Sequence, residues 1–202
     1  MLSDEIQKTS GAILLPGVVV LTHNAIPLHI FEEKYRQMLN DAVRGEGVFI
    51  IGSLPVSDDE GVADEPMNMA VLVRIEVNQK LPDGRSILIV SGVERVRVHD
   101  WDSSGSYPVA SYKIMKRDVP HDGKTIEKLL KDSFECITAE MPPENRKDLK
   151  HYINSQDSLE AIIDVMAQHV VEDETERRYF LEEQSDANRA SRLLLMLEQI
   201  TA

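Results

Sequence analysis

The sequence predicts an α+β protein, in which a mainly β part with one helix precedes a bundle of helices. Two observations support this fold class. Runs rich in β-branched residues, bounded by turn residues, dominate the first part of the chain. Farther along, apolar residues recur at the three- and four-residue spacing of amphipathic helices. We therefore expect a β-rich part at residues 1–118 and a helical part at residues 119–202.

The β part is predicted to contain five strands. Each is a short run rich in Val, Ile or Leu, and they fall at 48–51, 69–77, 86–90, 93–98 and 107–115. The sequence KLPDG at 80–84 predicts a hairpin turn between the second and third strands. The segment 57–65 carries five acidic residues and no basic one, so we expect a solvated, mobile loop there.

One helix is predicted within the β part. Its signal is a set of apolar residues at helical spacing, which are Phe31, Tyr35, Met38, Leu39, Ala42 and Val43. Gly45 and Gly47 follow this set and are expected to end the helix.

Two interactions are expected from this helix. Phe31, Tyr35 and Leu39 share one helical face, so we expect them to pack in the core between the helix and the sheet. Glu32 and Arg36 stand four residues apart, a spacing that predicts an ion pair on the helix surface.

The helical part is predicted to contain five helices. Four of them are expected at 125–140, 143–153, 175–183 and 186–200. The remaining helix, third in order, should follow Asp157, which can cap it with Glu160 as a capping-box partner. We expect this third helix to bury its apolar residues, which are Leu159, Ile162, Ile163, Val165 and Met166.

The net charge of −13 argues against two classes of partner. Nucleic-acid binding depends on Lys and Arg contacts to phosphates, and the sequence has no run of basic residues. The same charge opposes binding to an anionic membrane surface. No apolar run reaches the ~20 residues of a membrane-spanning helix, and the opening residues lack a secretory signal pattern. We therefore expect a cytoplasmic protein that binds neither nucleic acid nor membrane.

The motifs of catalysis, cofactor binding and metal binding are incomplete in this sequence. A phosphate-binding loop would need glycine where Asp118 stands, so the sequence GKT at 123–125 is interpreted as a helix start. Glu33 stands where an HxxEH metal motif needs its second histidine. The single cysteine, Cys136, excludes a disulfide scaffold and is interpreted as a buried, unreactive thiol. We predict a non-enzymatic protein with no catalytic, cofactor-binding or metal-binding residues.

One pattern is more specific than all of these. The sequence LLPGVVVL at 14–21 leads to IPLHIFEEKYRQML at 26–39, and a second block, VSGVERVRV, follows at 90–98. Together they resemble the signature of the LON amino-terminal domain, the substrate-binding module of Lon proteases. The resemblance continues into the helical part, for example at 159–167. It departs at 21–23, where LTH replaces the family's usual Phe-Pro-Gly turn.

The resemblance implies a PUA-like, mainly β pseudo-barrel followed by the helical bundle. It also implies a protein- or peptide-binding module that recognises unfolded segments and serves a protease as a proteolysis adaptor. The ATPase and serine-lysine protease modules of Lon proteases are missing from this sequence, so no peptidase activity is expected. The candidate peptide-binding residues are apolar residues expected to be exposed on loops that flank the acidic segment, and they are Leu54, Pro55, Val56, Met67 and Met69. The alternative is that these residues only anchor the acidic loop.

Three other functions remain open. A small-ligand pocket in the β part would fit some members of the family, but Trp101 is the single tryptophan and cannot form a multi-tryptophan cage. RNA binding would fit other PUA-like folds, although the net charge opposes it, and a salt-dependent RNA gel shift would reveal it. Hydrolysis would give cleavage products detectable by mass spectrometry, with or without ATP. We favour protein or peptide recognition.

Overall fold

The computed structural model describes residues 7–57, 61–140 and 143–201. The chain divides into two compact units, Met1–Met115 and Lys116–Ala202, which we call the β unit and the helical unit. The predicted fold class is confirmed, because a six-stranded mixed sheet fills the first unit and helices fill the second.

The β unit contains eight strands and one helix within its described residues. In chain order these are β1 (Lys8–Pro16), β2 (Ala25–Ile30), α1 (Glu33–Arg44), β3 (Val48–Leu54), β4 (Val56–Ser57), β5 (Gly61–Val62), β6 (Met69–Lys80), β7 (Ser86–Asp102) and β8 (Val109–Ile114).

Three features of these strands differ from the sequence predictions. Strands β1 and β2 were not predicted, because prolines and mixed polarity interrupt their apolar runs. The predicted strands 86–90 and 93–98 form one continuous strand, β7. Part of the predicted acidic loop is a short two-stranded ribbon, in which Val56 of β4 lies opposite Val62 of β5. Residues 58–60 of that loop lie outside the described residues.

Five of the strands close into a barrel. Strand β1 pairs with β3 in parallel and with β8 in antiparallel orientation, and β3, β6, β7 and β8 then pair in succession, all antiparallel. The 17-residue β7 makes closure possible, because its first half pairs with β2 and β6 and its second half with β6 and β8. Strand β2 lies at the edge of the sheet and carries Pro27, whose missing N–H an edge strand tolerates.

The barrel interior is filled by small and medium side chains. They come from β1, β3, β6, β7 and β8 and are Ala12, Ile50, Ala70, Val96, Val98, Ala110 and Tyr112, with Leu72 and Trp101 packed beside them. The Trp101 indole Nε1 donates a hydrogen bond to the Met67 carbonyl oxygen at 3.2 Å. A Cβ at Gly52 would lie 2.7 Å from the indole ring of Trp101, so glycine leaves room for that ring.

The segment before β2 crosses β7 at Gly92. A Cβ at Gly92 would lie 2.8 Å from the Thr22 Cα and 3.0 Å from the Leu21 carbonyl oxygen, both backbone atoms that cannot rotate away. The His23 N–H donates to the Gly92 carbonyl at 2.9 Å, and the Gly92 N–H donates to the Asn24 carbonyl at 3.2 Å. Only glycine permits this approach. His23 itself has a φ of 58°, a left-handed backbone that the glycine of a Phe-Pro-Gly turn would adopt with less strain.

Helix α1 buries Tyr35, Met38 and Leu39, as its spacing predicts. The prediction that Phe31 packs in the core is wrong, because this side chain is 59% exposed. The reason lies at Glu32, the N-cap residue, whose backbone is extended (φ −69°, ψ 136°). Phe31 therefore precedes the helix, so its side chain does not lie on the helical face that buries Tyr35 and Leu39.

The predicted Glu32–Arg36 ion pair is also wrong. Arg36 pairs instead with Glu33, with 2.9 Å between Nη1 and Oε2. Glu32 pairs with Lys34 at 3.3 Å. Because helix α1 begins at Glu33, Glu32 does not share a helical face with Arg36.

All five predicted helices occur in the helical unit. They are α2 (Gly123–Ile137), followed by a 3₁₀ turn at Thr138–Glu140, then α3 (Pro143–Asn154), α4 (Leu159–Val170), α5 (Glu174–Glu182) and α6 (Asp186–Thr201). The five apolar residues expected to be buried on α4 are buried. The N-cap of α4 is Ser158 rather than the predicted Asp157, and its hydroxyl oxygen accepts a hydrogen bond from the Ala161 N–H at 3.1 Å.

A buried network of charges links α4, α6 and the entry to the helical unit. The Arg189 guanidinium is fully buried and pairs with the buried carboxylates of Asp164 and Asp186. Arg117 extends the network, with 3.0 Å to an oxygen of Asp186 and 2.9 Å to an oxygen of Glu160. Glu160 therefore forms an ion pair with Arg117, 43 positions earlier in the chain, instead of the predicted capping-box interaction.

The Gly92→Ala substitution tests the crossing at β7. We expect it to lower the free energy of unfolding of the β unit by about 1–3 kcal/mol, because the added methyl meets backbone atoms. The matched control is Gly105→Ala, whose Cβ would lie 3.9 Å from its nearest neighbour, the Tyr107 carbonyl oxygen. Urea unfolding followed by Trp101 fluorescence reports on this unit. Equal midpoints for the two variants would contradict the close approach.

Arg189→Met tests the buried network. It removes the buried cation that Asp164 and Asp186 share, so we expect a loss of about 3–5 kcal/mol in the stability of the helical unit. The matched control is Arg192→Met on the same helix, which removes only an exposed pair with Glu176 and should leave the unfolding midpoint nearly unchanged. Far-UV circular dichroism measures the helical transition, and comparable losses in both variants would refute the network's role.

Candidate functional site

An apolar surface lies on the outer face of strands β2, β6 and β7. Ile87 and Ile89 of β7 are 44% and 42% exposed, and Val77 of β6 is 48% exposed. The register places Ile89 between Pro27 and Val77, and it places His29 beside Ile87. Side chains opposite one another in paired strands point to the same side of the sheet, so these residues form one surface.

Phe31 extends this surface beyond the end of β2. Its ring centroid lies 5.7 Å from that of His29, which is paired with Ile87. The side chain that sequence reasoning placed in the core is therefore part of an exposed apolar surface. We call this surface the sheet patch, and its members are Pro27, His29, Phe31, Val77, Ile87 and Ile89.

The sheet patch results from the sequence SILIV at 86–90. Ser86, Leu88 and Val90 point inward and are buried, while Ile87 and Ile89 alternate with them and point outward. A strand with one solvated face normally carries polar residues on that face. Isoleucine at both outward positions is therefore the signal that sequence analysis could have used, since it marks an apolar surface that no described element covers.

Two pairs of opposite charges flank the sheet patch. Glu32 and Lys34, next to Phe31, are 3.3 Å apart. In the turn between β6 and β7, Arg85 Nε donates to the Asp83 carboxylate at 2.7 Å, and this hydrogen bond lowers the pKa of Asp83. These two pairs add no net charge beside the patch, and its apolar surface is the feature that distinguishes it.

The five predicted peptide-binding residues are not all accessible. Met67 and Met69 are buried, so the expectation that they are exposed on a loop is wrong. The Met67 N–H donates to the Ser53 carbonyl at 2.9 Å, which holds it against β3, and Met69 begins strand β6. Leu54 and Pro55 are half-buried, and Val56 is exposed on the ribbon.

The structure also shows where the residues considered for phosphate binding, thiol reactivity and metal binding lie. The segment 123–125 begins helix α2, as its interpretation as a helix start predicted. Cys136 is exposed on that helix, so the prediction of a buried thiol is wrong. Among the described residues, no three His, Cys, Asp or Glu side chains are arranged to hold a metal ion. None of the helices in the described ranges is long and apolar enough to cross a membrane.

Comparison with solved structures supports the assignment of the fold. The N-terminal domain of Lon protease from the Mycobacterium avium complex superposes with a TM-score of 0.71 at 14% identity, covering 95% of this chain and 98% of that one. The Lon N-terminal domain protein from Xanthomonas campestris gives a TM-score of 0.64 at 20% identity, with 93% and 98% covered.

Sequence comparison gives the family. The Lon protease of Escherichia coli (strain K12) is 26% identical over 192 residues, which are 91% of this chain and 24% of that protein. The Lon protease of Halothermothrix orenii is 31% identical over 137 residues, 65% of this chain and 17% of that protein. The chain thus spans a quarter or less of these relatives. Residues 11–199 match a family pattern, and the chain belongs to that family, the substrate-binding domain of ATP-dependent protease La (LON).

Proposed function

We propose that this chain is a recognition module that binds unfolded or extended polypeptide segments through the sheet patch. The observation that carries the proposal is the pair of isoleucines, Ile87 and Ile89, exposed side by side with Val77 and Pro27 on adjacent strands. Contiguous exposed apolar surface is uncommon on soluble proteins and marks interaction sites. Membership of a family described as a substrate-binding domain supports the same conclusion.

The chemistry of the sheet patch suits unfolded segments better than a folded partner of fixed shape. Its members are aliphatic or aromatic side chains on a sheet face, flanked by charges that are already paired. Such a surface gains affinity by removing apolar area from water, which depends little on the sequence of the bound segment. It would therefore accept many segments, provided that each exposes apolar side chains.

The ribbon is a second contact point in this proposal. Val56 and Val62 are cross-strand neighbours and both are exposed. Half-buried Leu54 and Pro55 lead into the ribbon. Asp64 and Glu65 lie exposed just after it, so this contact would favour apolar segments with basic neighbours.

The finer role that we propose is non-catalytic. The family pattern that matches residues 11–199 describes a substrate-binding domain, which supports this role. A module of this kind would bind a segment and present it to a separate protease, as an adaptor does. Cleavage would then require that second protein.

The double variant Ile87→Ser and Ile89→Ser tests the sheet patch. We expect it to weaken binding of reduced, carboxamidomethylated lysozyme, a basic unfolded polypeptide, at least about tenfold, since each isoleucine buried on binding contributes roughly 1 kcal/mol or more. The matched control is Val43→Ser with Ile114→Ser, two residues of similar exposure on α1 and β8. Binding is measured by fluorescence anisotropy of the labelled polypeptide, and Trp101 fluorescence confirms that each variant is folded.

A third double variant, Val56→Ser with Val62→Ser, separates the sheet patch from the ribbon. Loss of binding in this variant alone would move the recognition site to the ribbon and reject the sheet patch. Equal affinity of all three double variants for the unfolded polypeptide would reject both surfaces. Cleavage of the polypeptide by the purified chain would contradict the adaptor role.

A further inference from the structure

A cavity of about 350 Å³ opens among α2, α3 and α4 of the helical unit. Its apolar floor is formed by Phe134, Ile153 and Met166, one from each helix, and all three are buried. The volume lies near the lower end of the roughly 300–1,000 Å³ range of small-molecule sites. Every described lining residue belongs to the helical unit, so the cavity is independent of the sheet patch.

The rim of the cavity carries lysines at helical spacing. Lys124, Lys128 and Lys131 stand four and three residues apart on α2, so they line one side of that helix. Lys150 of α3 contributes a fourth ammonium group to the rim. The cavity therefore combines an apolar floor with a cationic mouth.

The carboxylates at the rim do not balance these lysines. Glu127 is shared by two of them, with 2.8 Å to Lys131 Nζ and 3.1 Å to Lys124 Nζ. The hydrogen bond from Lys131 lowers the pKa of Glu127, which keeps that carboxylate ionised. Lys150 pairs with Glu135 at 2.5 Å. With Asp132, four lysines face three carboxylates, an excess of positive charge in a chain whose net charge is −13.

We propose that this cavity binds a small amphipathic anion, with its apolar chain or ring on the Phe134, Ile153 and Met166 floor and its carboxylate at the lysine rim. Charge complementarity selects this ligand over a neutral or cationic one of the same size. The carboxylate would sit beside Lys128 and Lys131. Lys131 is only 25% exposed, so its attraction for an anion is screened less than that of a surface lysine.

Three probes with one chain length test both parts of the proposal, and they are octanoate, 1-octanol and octyltrimethylammonium. We use the full-length chain labelled at its methionine methyl groups, with the Met166 signal assigned by Met166→Leu, a volume-conserving change. Octanoate should shift the Met166 signal saturably and bind about fivefold or more tightly than octanol. Octyltrimethylammonium should bind most weakly. Equal binding of all three probes, or an unmoved Met166 signal, overturns the proposal.

Lys128→Glu tests the rim on an exposed residue, so the fold should persist. We expect the affinity for octanoate to fall about tenfold at low salt and by a smaller factor at high salt, because salt screens the charge. The affinity for octanol should stay the same. The control is Lys8→Glu, which makes the same charge change at the exposed first residue of β1 in the other unit. The proposal fails if both variants bind octanoate with the affinity of the parent chain, or if both lose the same amount of affinity. Either result would mean that the lysine rim does not select the anion.

Discussion

The contact between Gly92 and the backbone of Leu21 and Thr22 fixes where β2 lies along β7. The two hydrogen bonds at this crossing hold residues 23 and 24 against β7. Strand β2 begins at once, with Ala25 opposite Ser91, and its register along β7 is then fixed residue by residue. Pro27 and His29 reach their places beside Ile89 and Ile87 for this reason. A side chain at position 92 would therefore disturb the sheet patch as well as the barrel.

The helical unit depends on a constraint of a different kind. Its entry segment is tied to the start of α6 by backbone hydrogen bonds, from the Asp118 N–H to the Gln184 carbonyl and from the Asp186 N–H to the Asp118 carbonyl, both 3.0 Å. The buried Arg189 network lies next to these bonds. Burying charges is costly unless each has its partner, so the helices must meet in one arrangement to satisfy Arg189. That arrangement also holds α4, the helix that supplies Met166 to the cavity floor.

Sequence reasoning located the helices and four of the six strands of the main sheet because their periodicity is local. It failed where a distant contact decides the outcome. In the sequence Gly92 looks like a strand break, yet β7 continues through it. Glycine stands there because the backbone of Leu21 and Thr22 passes too close for a side chain. Glu160 has the spacing of a capping-box residue, but its carboxylate pairs with Arg117. The sheet patch escaped prediction because SILIV is apolar on both faces, and only the assembled sheet shows which face stays uncovered.

Pro27 has a consequence for the behaviour of the protein in concentrated solution. An edge strand beside an apolar sheet face is the surface on which copies of a chain stack into extended sheets. Proline removes one backbone donor from that edge, and the edge strand is only six residues long. The sheet patch can thus stay exposed while β2 offers other copies of the chain an incomplete row of hydrogen-bond donors. Replacing that proline with a residue that has an N–H would restore the missing donor and favour self-association along the edge of the sheet.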